Sequence, residues 1–217
     1  ASDVYKRQAL YRARTPPSSS HPLAHAMNTP CIRIRRALSM VAALLSACLL
    51  GAPTPATAQS IGGQYWGPER RVLTYSVVAS GRAMQERAAM EEAIYQALIW
   101  WEAAGVRFRE GRQRDTVALG FVVQDTTGLP YYPGNTKLGH LANGQILDAV
   151  IVLGIFPVGK AQRIDWKAFR AVVAHEIGHA LGLPHVSDPN SIMHPDIRVD
   201  QPSRWDILQA RQRNLWR

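Results

Sequence analysis

The sequence has few cysteines, comparatively few acidic residues and no long apolar run, and each shortage excludes a class of protein. Its two cysteines, Cys31 and Cys48, both fall within the first 58 residues, so the rest of the chain is not a disulfide scaffold. No uninterrupted apolar run reaches the roughly 20 residues that a membrane-spanning helix needs. With 47% hydrophobic and 19% charged residues, the composition is that of a globular protein.

The shortage of acidic residues is confined to the start of the chain. Residues 1–58 hold seven of the 25 lysines and arginines but one of the 16 aspartates and glutamates. The remaining residues carry 18 basic against 15 acidic side chains, which is an ordinary balance. The net charge of +9 therefore gives little reason to expect a nucleic-acid partner, and the arginines between 107 and 114 are interpreted as a solvated basic face.

Residues 27–58 have the pattern of a secretory signal peptide. Met27 precedes three arginines at 33, 35 and 36, then a short apolar stretch, then a small-residue cleavage site that ends at Ala58. We therefore predict a secreted, extracellular protein. Residues 1–26 show no apolar periodicity and are interpreted as a disordered upstream or non-native extension. As an alternative, the sequence before Cys48 resembles a bacterial lipobox, in which case a lipid on Cys48 would tether the protein to a membrane.

The remaining segment, residues 59–217, is predicted to form one catalytic domain. β-Branched and aromatic stretches indicate strands, and apolar residues at spacings of three and four indicate helices. The predicted strands cover 72–79, 106–109, 116–123, 137–142 and 146–153, and the predicted helices cover 82–104, 166–181 and 204–216. This order predicts an α+β fold in which a mixed, twisted sheet packs on two long helices, with a third helix at the C-terminus.

The chemistry is concentrated in an eleven-residue motif, HExxHxxGxxH, that starts at His175. His175 and His179 are one helical turn apart, about 40° apart around the helix, so both imidazoles can reach one ion. His185 would point elsewhere if the helix continued. The helix must therefore end and the chain must turn back, which Gly182 permits because glycine tolerates positive φ, and Pro184 prevents the helix from resuming.

Three neutral histidines would leave the fourth position of a zinc ion open to water, as in catalytic rather than structural sites. Glu176 is adjacent to His175 and is not needed as a ligand, so we predict that it serves as general base and acid in peptide hydrolysis. The sequence thus predicts a zinc-dependent endopeptidase with His175, His179 and His185 as ligands. The alternative is a non-catalytic, metal-stabilised module that binds peptides.

The motif and its surroundings resemble the metzincin metallopeptidases, in which the third histidine is followed by a Met-turn. Met193, eight residues after His185, corresponds to that methionine. Within the metzincins, the sequence is most similar to the matrixin, or matrix-metalloproteinase-like, branch. Three segments carry this similarity: the Ala-Leu-Gly-Leu stretch that ends at Leu183, the closing helix after Ser203, and the segment from Tyr65. The resemblance implies a zincin-like catalytic domain with one catalytic Zn²⁺.

The resemblance also implies a substrate-binding strand and raises the question of further metals. An exposed edge strand would bind an extended protein or peptide substrate by adding it to the sheet. The residues assigned to this strand are Leu138, Gly139, His140, Leu141 and Ala142. A structural zinc at His140 is not expected, because no partner ligands are evident nearby. The resemblance also implies calcium near Asp125 and Asp148, although the sequence shows no full set of oxygen ligands there. We expect a monomer.

Overall fold

The computed structural model describes residues 63–112, 115–127, 133–155, 157–158 and 163–216. The predicted extension 1–26, the predicted signal peptide 27–58 and the lipidation candidate Cys48 lie outside the described residues. Among the described helices, none is long and apolar enough to cross a membrane.

Seven strands and four helices follow one another along the described chain. The strands are β1 (Val72–Ala79), β2 (Arg107–Glu110), β3 (Leu119–Asp125), β4 (Gly134–His140), β5 (Ile146–Ile155), β6 (Pro157–Val158) and β7 (Arg163–Ile164). The helices are α1 (Arg82–Gln85), α2 (Arg87–Glu102), α3 (Trp166–Ala180) and α4 (Arg204–Arg213).

Five of the strands form one mixed sheet in the order β2-β1-β3-β5-β4. The first four strands are parallel, and β4 runs antiparallel to β5 at one edge. The inner strands β3 and β5 are rich in buried aliphatic residues, as expected for parallel strands that are covered by helices. The predicted α+β class with a mixed sheet is confirmed.

Helices α2 and α3 pack against each other, and α3 also packs against β4 and β5. The apolar stripe of α2 is buried at spacings of three and four, ending at Trp101. The indole Nε1 of Trp101 donates a hydrogen bond of 2.9 Å to the carbonyl of Ala174, inside α3. This buried bond fixes the position along α2 at which α3 packs.

The predicted helix 82–104 is wrong in one respect, because it is interrupted. Glu86 has φ −96° and ψ 24°, which separates the four-residue α1 from α2. Strand boundaries also moved: β3 begins at Leu119 rather than at residue 116 and runs on to Asp125, and β5 runs on to Ile155.

The predicted edge strand 137–142 is shifted along the chain. In the structure β4 begins at Gly134 and ends at His140, so Leu141 and Ala142 lie beyond it. The reason is the turn that follows. Gly144 has φ +86°, and its N–H donates to the carbonyl of Leu141. The N–H of Leu141 in turn donates to the carbonyl of Gln145. Leu141 and Ala142, which the sequence pattern had assigned to the strand, therefore belong to the turn.

Candidate active site

Helix α3 carries the first part of the motif and is buried where the motif begins. It starts at Asp165, whose carboxylate accepts hydrogen bonds of 3.0 Å from the backbone N–H groups of Lys167 and Ala168. From residue 173 to 180 every residue is buried. The two helical histidines and Glu176 therefore lie in the interior of the fold, where their rotamers are restricted.

The end of α3 forms the turn that brings the third histidine back. Leu183 N–H donates to the carbonyl of Gly178 at 3.0 Å, and Gly182 N–H donates to that of His179 at 2.8 Å. These two bonds are a Schellman motif, which requires a left-handed residue after the helix. Gly182 supplies it with φ +84°.

The structure brings the three imidazoles together. Nε2 of His185 lies 3.2 Å from Nε2 of His175 and 3.1 Å from Nε2 of His179. Tetrahedral ligands about 2.0–2.1 Å from a zinc ion are about 3.3 Å apart, so His185 has the spacing from each of the other two histidines that one ion requires, and all three ligand atoms lie within 4.8 Å of one another. Among the described residues, this trio is the one group of three or more His, Cys, Asp or Glu side chains that could hold a metal ion.

Backbone carbonyls orient the two helical imidazoles. Nδ1 of His175 lies 2.7 Å from the carbonyl of Ile192, and Nδ1 of His179 lies 2.7 Å from the carbonyl of Leu183. A carbonyl only accepts, so the Nδ1 atoms must carry the protons and the Nε2 lone pairs remain free. This is the arrangement found in protein metal sites, where a second hydrogen bond fixes the ligand tautomer.

The electrostatic environment keeps these imidazoles neutral. Burial lowers the pKa of His175 to about 4 and the pKa of His179 to about 3. Burial also lowers the pKa of His185 below its ordinary value. Neutral imidazoles retain the lone pairs that bind a metal cation, and protons therefore compete weakly for this site at neutral pH.

Glu176 is buried beside the edge strand β4. The hydroxyl of Thr136 lies 2.7 Å from Oε2 of Glu176. A Cβ atom built on Gly134 would lie 2.8 Å from both Cγ and Oε1 of Glu176, so the side chain fills the space over that glycine. Burial raises the pKa of Glu176 to about 7, against the lowering effect of the Thr136 hydrogen bond. Such a carboxyl is suited to accept and release a proton near neutral pH.

Met193 lies directly beneath helix α3. It is buried, and a Cβ atom on Gly178 would lie 2.3 Å from its sulfur atom. The N–H of Val186 donates to the carbonyl of Met193 at 3.1 Å, which closes the loop between the third histidine and the methionine. Met193 thus supports the helix segment between the first two histidines, as the Met-turn resemblance implies.

The remaining predicted residues lie outside this cluster. Leu138, Gly139 and His140 belong to β4, which pairs with β5 on one side and with no described strand on the other. Nδ1 of His140 lies 3.1 Å from the carbonyl of Leu141. The carboxylate of Asp125 accepts from Arg82 N–H and from Thr127, and calcium near Asp125 and Asp148 stays a prediction.

Comparison with known proteins identifies the family. The Matrixin family profile matches residues 65–212, a span that contains the whole site and the whole five-stranded sheet. The chain belongs to the matrixin family. Matrixins use zinc, and the His175, His179 and His185 side chains could hold a metal ion.

Individual matrixins share limited sequence identity with this chain. Human neutrophil collagenase is 28% identical over 152 residues, covering 68% of this chain and 32% of the collagenase. Mouse matrix metalloproteinase-25 is 27% identical over 177 residues, covering 69% of this chain and 26% of its own length. Cat matrilysin is 63% identical over 27 residues, which is 12% of this chain and 10% of matrilysin. The chain therefore spans about a third or less of these curated relatives.

Three further residues of this matrixin contribute to the site, although the sequence did not indicate their roles. Thr136 and Gly134 contact Glu176 from a strand 40 residues away, and no local pattern marks such a contact. Gly178 allows Met193 to approach the helix. A glycine inside a helix lowers the stability of the helix by about 1 kcal/mol relative to alanine. Its presence inside α3 was therefore the one feature of the sequence that indicated close packing at this position.

Replacing Gly182 with alanine is expected to lower the free energy of unfolding by about 2–4 kcal/mol and to weaken zinc binding. The added Cβ would meet the positive φ and would lie 2.4 Å from the carbonyl oxygen of Gln64, so the turn that presents His185 must shift. Urea denaturation and competitive zinc titration measure the two effects.

Gly63→Ala is the matched control for this variant. Gly63 also has a positive φ, but a Cβ there would meet no atom within 4 Å, so we expect a loss of about 1 kcal/mol and unchanged zinc affinity. Equal effects of the two substitutions on zinc affinity would contradict the role given to Gly182.

Proposed function

We propose that this chain is a secreted zinc-dependent endopeptidase that hydrolyses peptide bonds, with Glu176 as general base and acid. The observation that carries the proposal is the convergence of three imidazoles: Nε2 of His185 lies 3.1–3.2 Å from the Nε2 atoms of His175 and His179, whose Nδ1 atoms face backbone carbonyls. His175, His179 and His185 would hold the ion. A bound Zn²⁺ lowers the pKa of a coordinated water to about 7 and polarises a carbonyl oxygen.

Glu176 would move the proton in this reaction. Its carboxylate takes the proton that the attacking water gives up and later delivers it to the nitrogen of the leaving amine. The burial that raises the pKa of Glu176 to about 7 favours both halves of that task. A cation on the neighbouring imidazoles would favour the ionised form, which is the form able to accept the proton.

The edge strand β4 would align the substrate. Because β4 pairs with β5 alone among the described strands, its outer side offers backbone N–H and C=O groups to an extended peptide. Gly134 and Thr136 of this strand contact Glu176. A peptide paired to the strand would therefore lie alongside the proposed proton carrier.

Export is proposed from residues 27–58 alone, whose arginines, apolar stretch and Ala58 cleavage site have the signal-peptide pattern. In that case the chain would act outside the cell on protein or peptide substrates. Lipidation of Cys48 would instead leave the same domain tethered to a membrane surface.

Metal removal tests the proposal. We expect a chelator to reduce cleavage of casein by at least about 100-fold, because the three imidazoles alone supply no Lewis acid. Stoichiometric Zn²⁺ should restore cleavage, and Mg²⁺ should not, since it prefers oxygen ligands. The melting temperature should rise with zinc, since the ion binds the folded state.

The same experiment separates the alternative functions. A metal-stabilised binding module would gain thermal stability from zinc and would still leave casein intact. Undiminished cleavage by protein shown to be free of metal would contradict the proposed mechanism. His185→Ala is the matched variant, because it removes one proposed ligand from an exposed position.

A further inference from the structure

The hydroxyl of Thr136 makes two contacts with the same residue of helix α3. Its Oγ1 atom lies 2.7 Å from Oε2 of Glu176 and 3.0 Å from the backbone carbonyl oxygen of Glu176. The threonine is 1% exposed and Glu176 is 5% exposed, so water reaches neither group freely. A buried polar group without a partner costs free energy, and here each group supplies the other's partner.

A threonine hydroxyl has one proton to donate and two lone pairs to accept with. It cannot donate to both oxygen atoms of Glu176 at once. The shorter of the two contacts, 2.7 Å, is the one to Oε2, so the hydroxyl pairs with the carboxyl group.

We infer that Thr136 is a positioning residue that holds the Glu176 carboxyl group in one place through the buried hydrogen bond between its hydroxyl and Oε2. The inference rests on the proposed function, in which Glu176 is the general base and acid. Without the hydroxyl, Oε2 would lose this buried partner and the carboxyl group would be free to move.

The fold fixes Thr136 for this role. Thr136 pairs with Ile151 of the inner strand β5, and alternate side chains of a strand share a face. Gly134 and Thr136 therefore lie on the face that α3 covers, and Lys137 on the other face is exposed. Gly134 limits Glu176 from one side by contact and Thr136 from the other by hydrogen bonding. The two contacts together leave the carboxyl group little freedom to leave its position.

The test compares Thr136→Val with Thr136→Ser. Valine has the shape of threonine but no hydroxyl, so we expect kcat on a peptide substrate to fall about 10- to 100-fold, with KM and zinc content unchanged. Serine retains the hydroxyl and should restore kcat to within about three-fold of the wild type. In a Glu176→Gln background, Thr136→Val should have little further effect, because residues that act as a unit are not additive.

Thr126→Val is the matched control, because Thr126 is also buried and donates to a backbone carbonyl, that of Ile155. It should lose stability but keep kcat. A readout independent of activity is the infrared band of the Glu176 carboxyl group, identified as the band that Glu176→Gln removes. Thr136→Val should shift this band, and Thr126→Val should not.

The outcomes separate two failures. If the wild-type protein with zinc cleaves no peptide, the proposed function is overturned, and the catalytic role of Thr136 with it. If the wild type is active but Thr136→Val keeps its kcat, or Thr136→Ser is as slow as Thr136→Val, the positioning role alone is overturned. An unshifted carboxyl band in Thr136→Val would likewise overturn it.

Discussion

Replacing Glu176 with glutamine is expected to reduce kcat by about 10²- to 10⁴-fold, the usual range for loss of a general acid–base group. Glutamine has nearly the shape of glutamate and can still bond with the Thr136 hydroxyl, but it cannot take up a proton. Because Glu176 is not among the three side chains grouped as a metal site, zinc content should stay at one per chain. The loss should therefore appear in kcat, with KM little changed.

The measurement is steady-state cleavage of a fluorogenic peptide, together with elemental analysis of the same samples. Glu110→Gln provides the matched control, since Glu110 is exposed at the end of β2 and should keep full activity. A Glu176→Gln protein that retains more than about a tenth of the wild-type kcat, with zinc bound, would contradict the general-base role. A variant that had lost its zinc would instead place Glu176 among the groups that maintain the metal site.

The parts of the site that were predictable from sequence are those encoded within one or two turns of chain. The spacing of His175 and His179 follows from the pitch of a helix, and Gly182 marks the Schellman turn through its tolerance of positive φ. The N-cap at Asp165 is equally local, because its carboxylate bonds to residues two and three positions ahead.

The parts that were not predictable depend on how distant segments meet. Thr136 reaches Glu176 only because β4 sits at the sheet edge and α3 packs across it. The approach of Met193 to Gly178 likewise depends on the path of the loop after His185. Hydrophobic periodicity identifies the elements and their apolar faces, but it carries no information about which polar side chains face one another across them.

Asp206 has one role that could be predicted from the sequence and a second that could not. Sequence analysis identifies the start of a closing helix after Ser203, and the structure contains the full capping box between Ser203 and Asp206. Its second role was not evident from the sequence. The same carboxylate accepts from the hydroxyl of Ser191 and, at 3.1 Å, from the N–H of Ile192. The helix cap thus also fixes the loop before Met193.

Asp206→Ala is accordingly expected to lower the free energy of unfolding by about 3–5 kcal/mol and to weaken zinc binding about ten-fold or more. Asp206 is fully buried, and its removal leaves the donors of Ser191, Ile192 and Ser203 without their acceptor. The carbonyl of Ile192 holds Nδ1 of His175 at 2.7 Å, so movement of this loop also disturbs a proposed zinc ligand.

Asp165→Ala distinguishes this coupling from the ordinary cost of losing a helix cap. Asp165 also caps a helix with its carboxylate but is exposed, so its removal should cost about 1 kcal/mol and leave zinc affinity unchanged. Urea denaturation of the metal-free proteins gives the first quantity, and competition against a zinc chelator gives the second. Equal zinc affinities for the two variants would mean that Asp206 stabilises the closing helix alone, and that the orientation of His175 is set by the burial of α3 rather than by the loop that Asp206 holds.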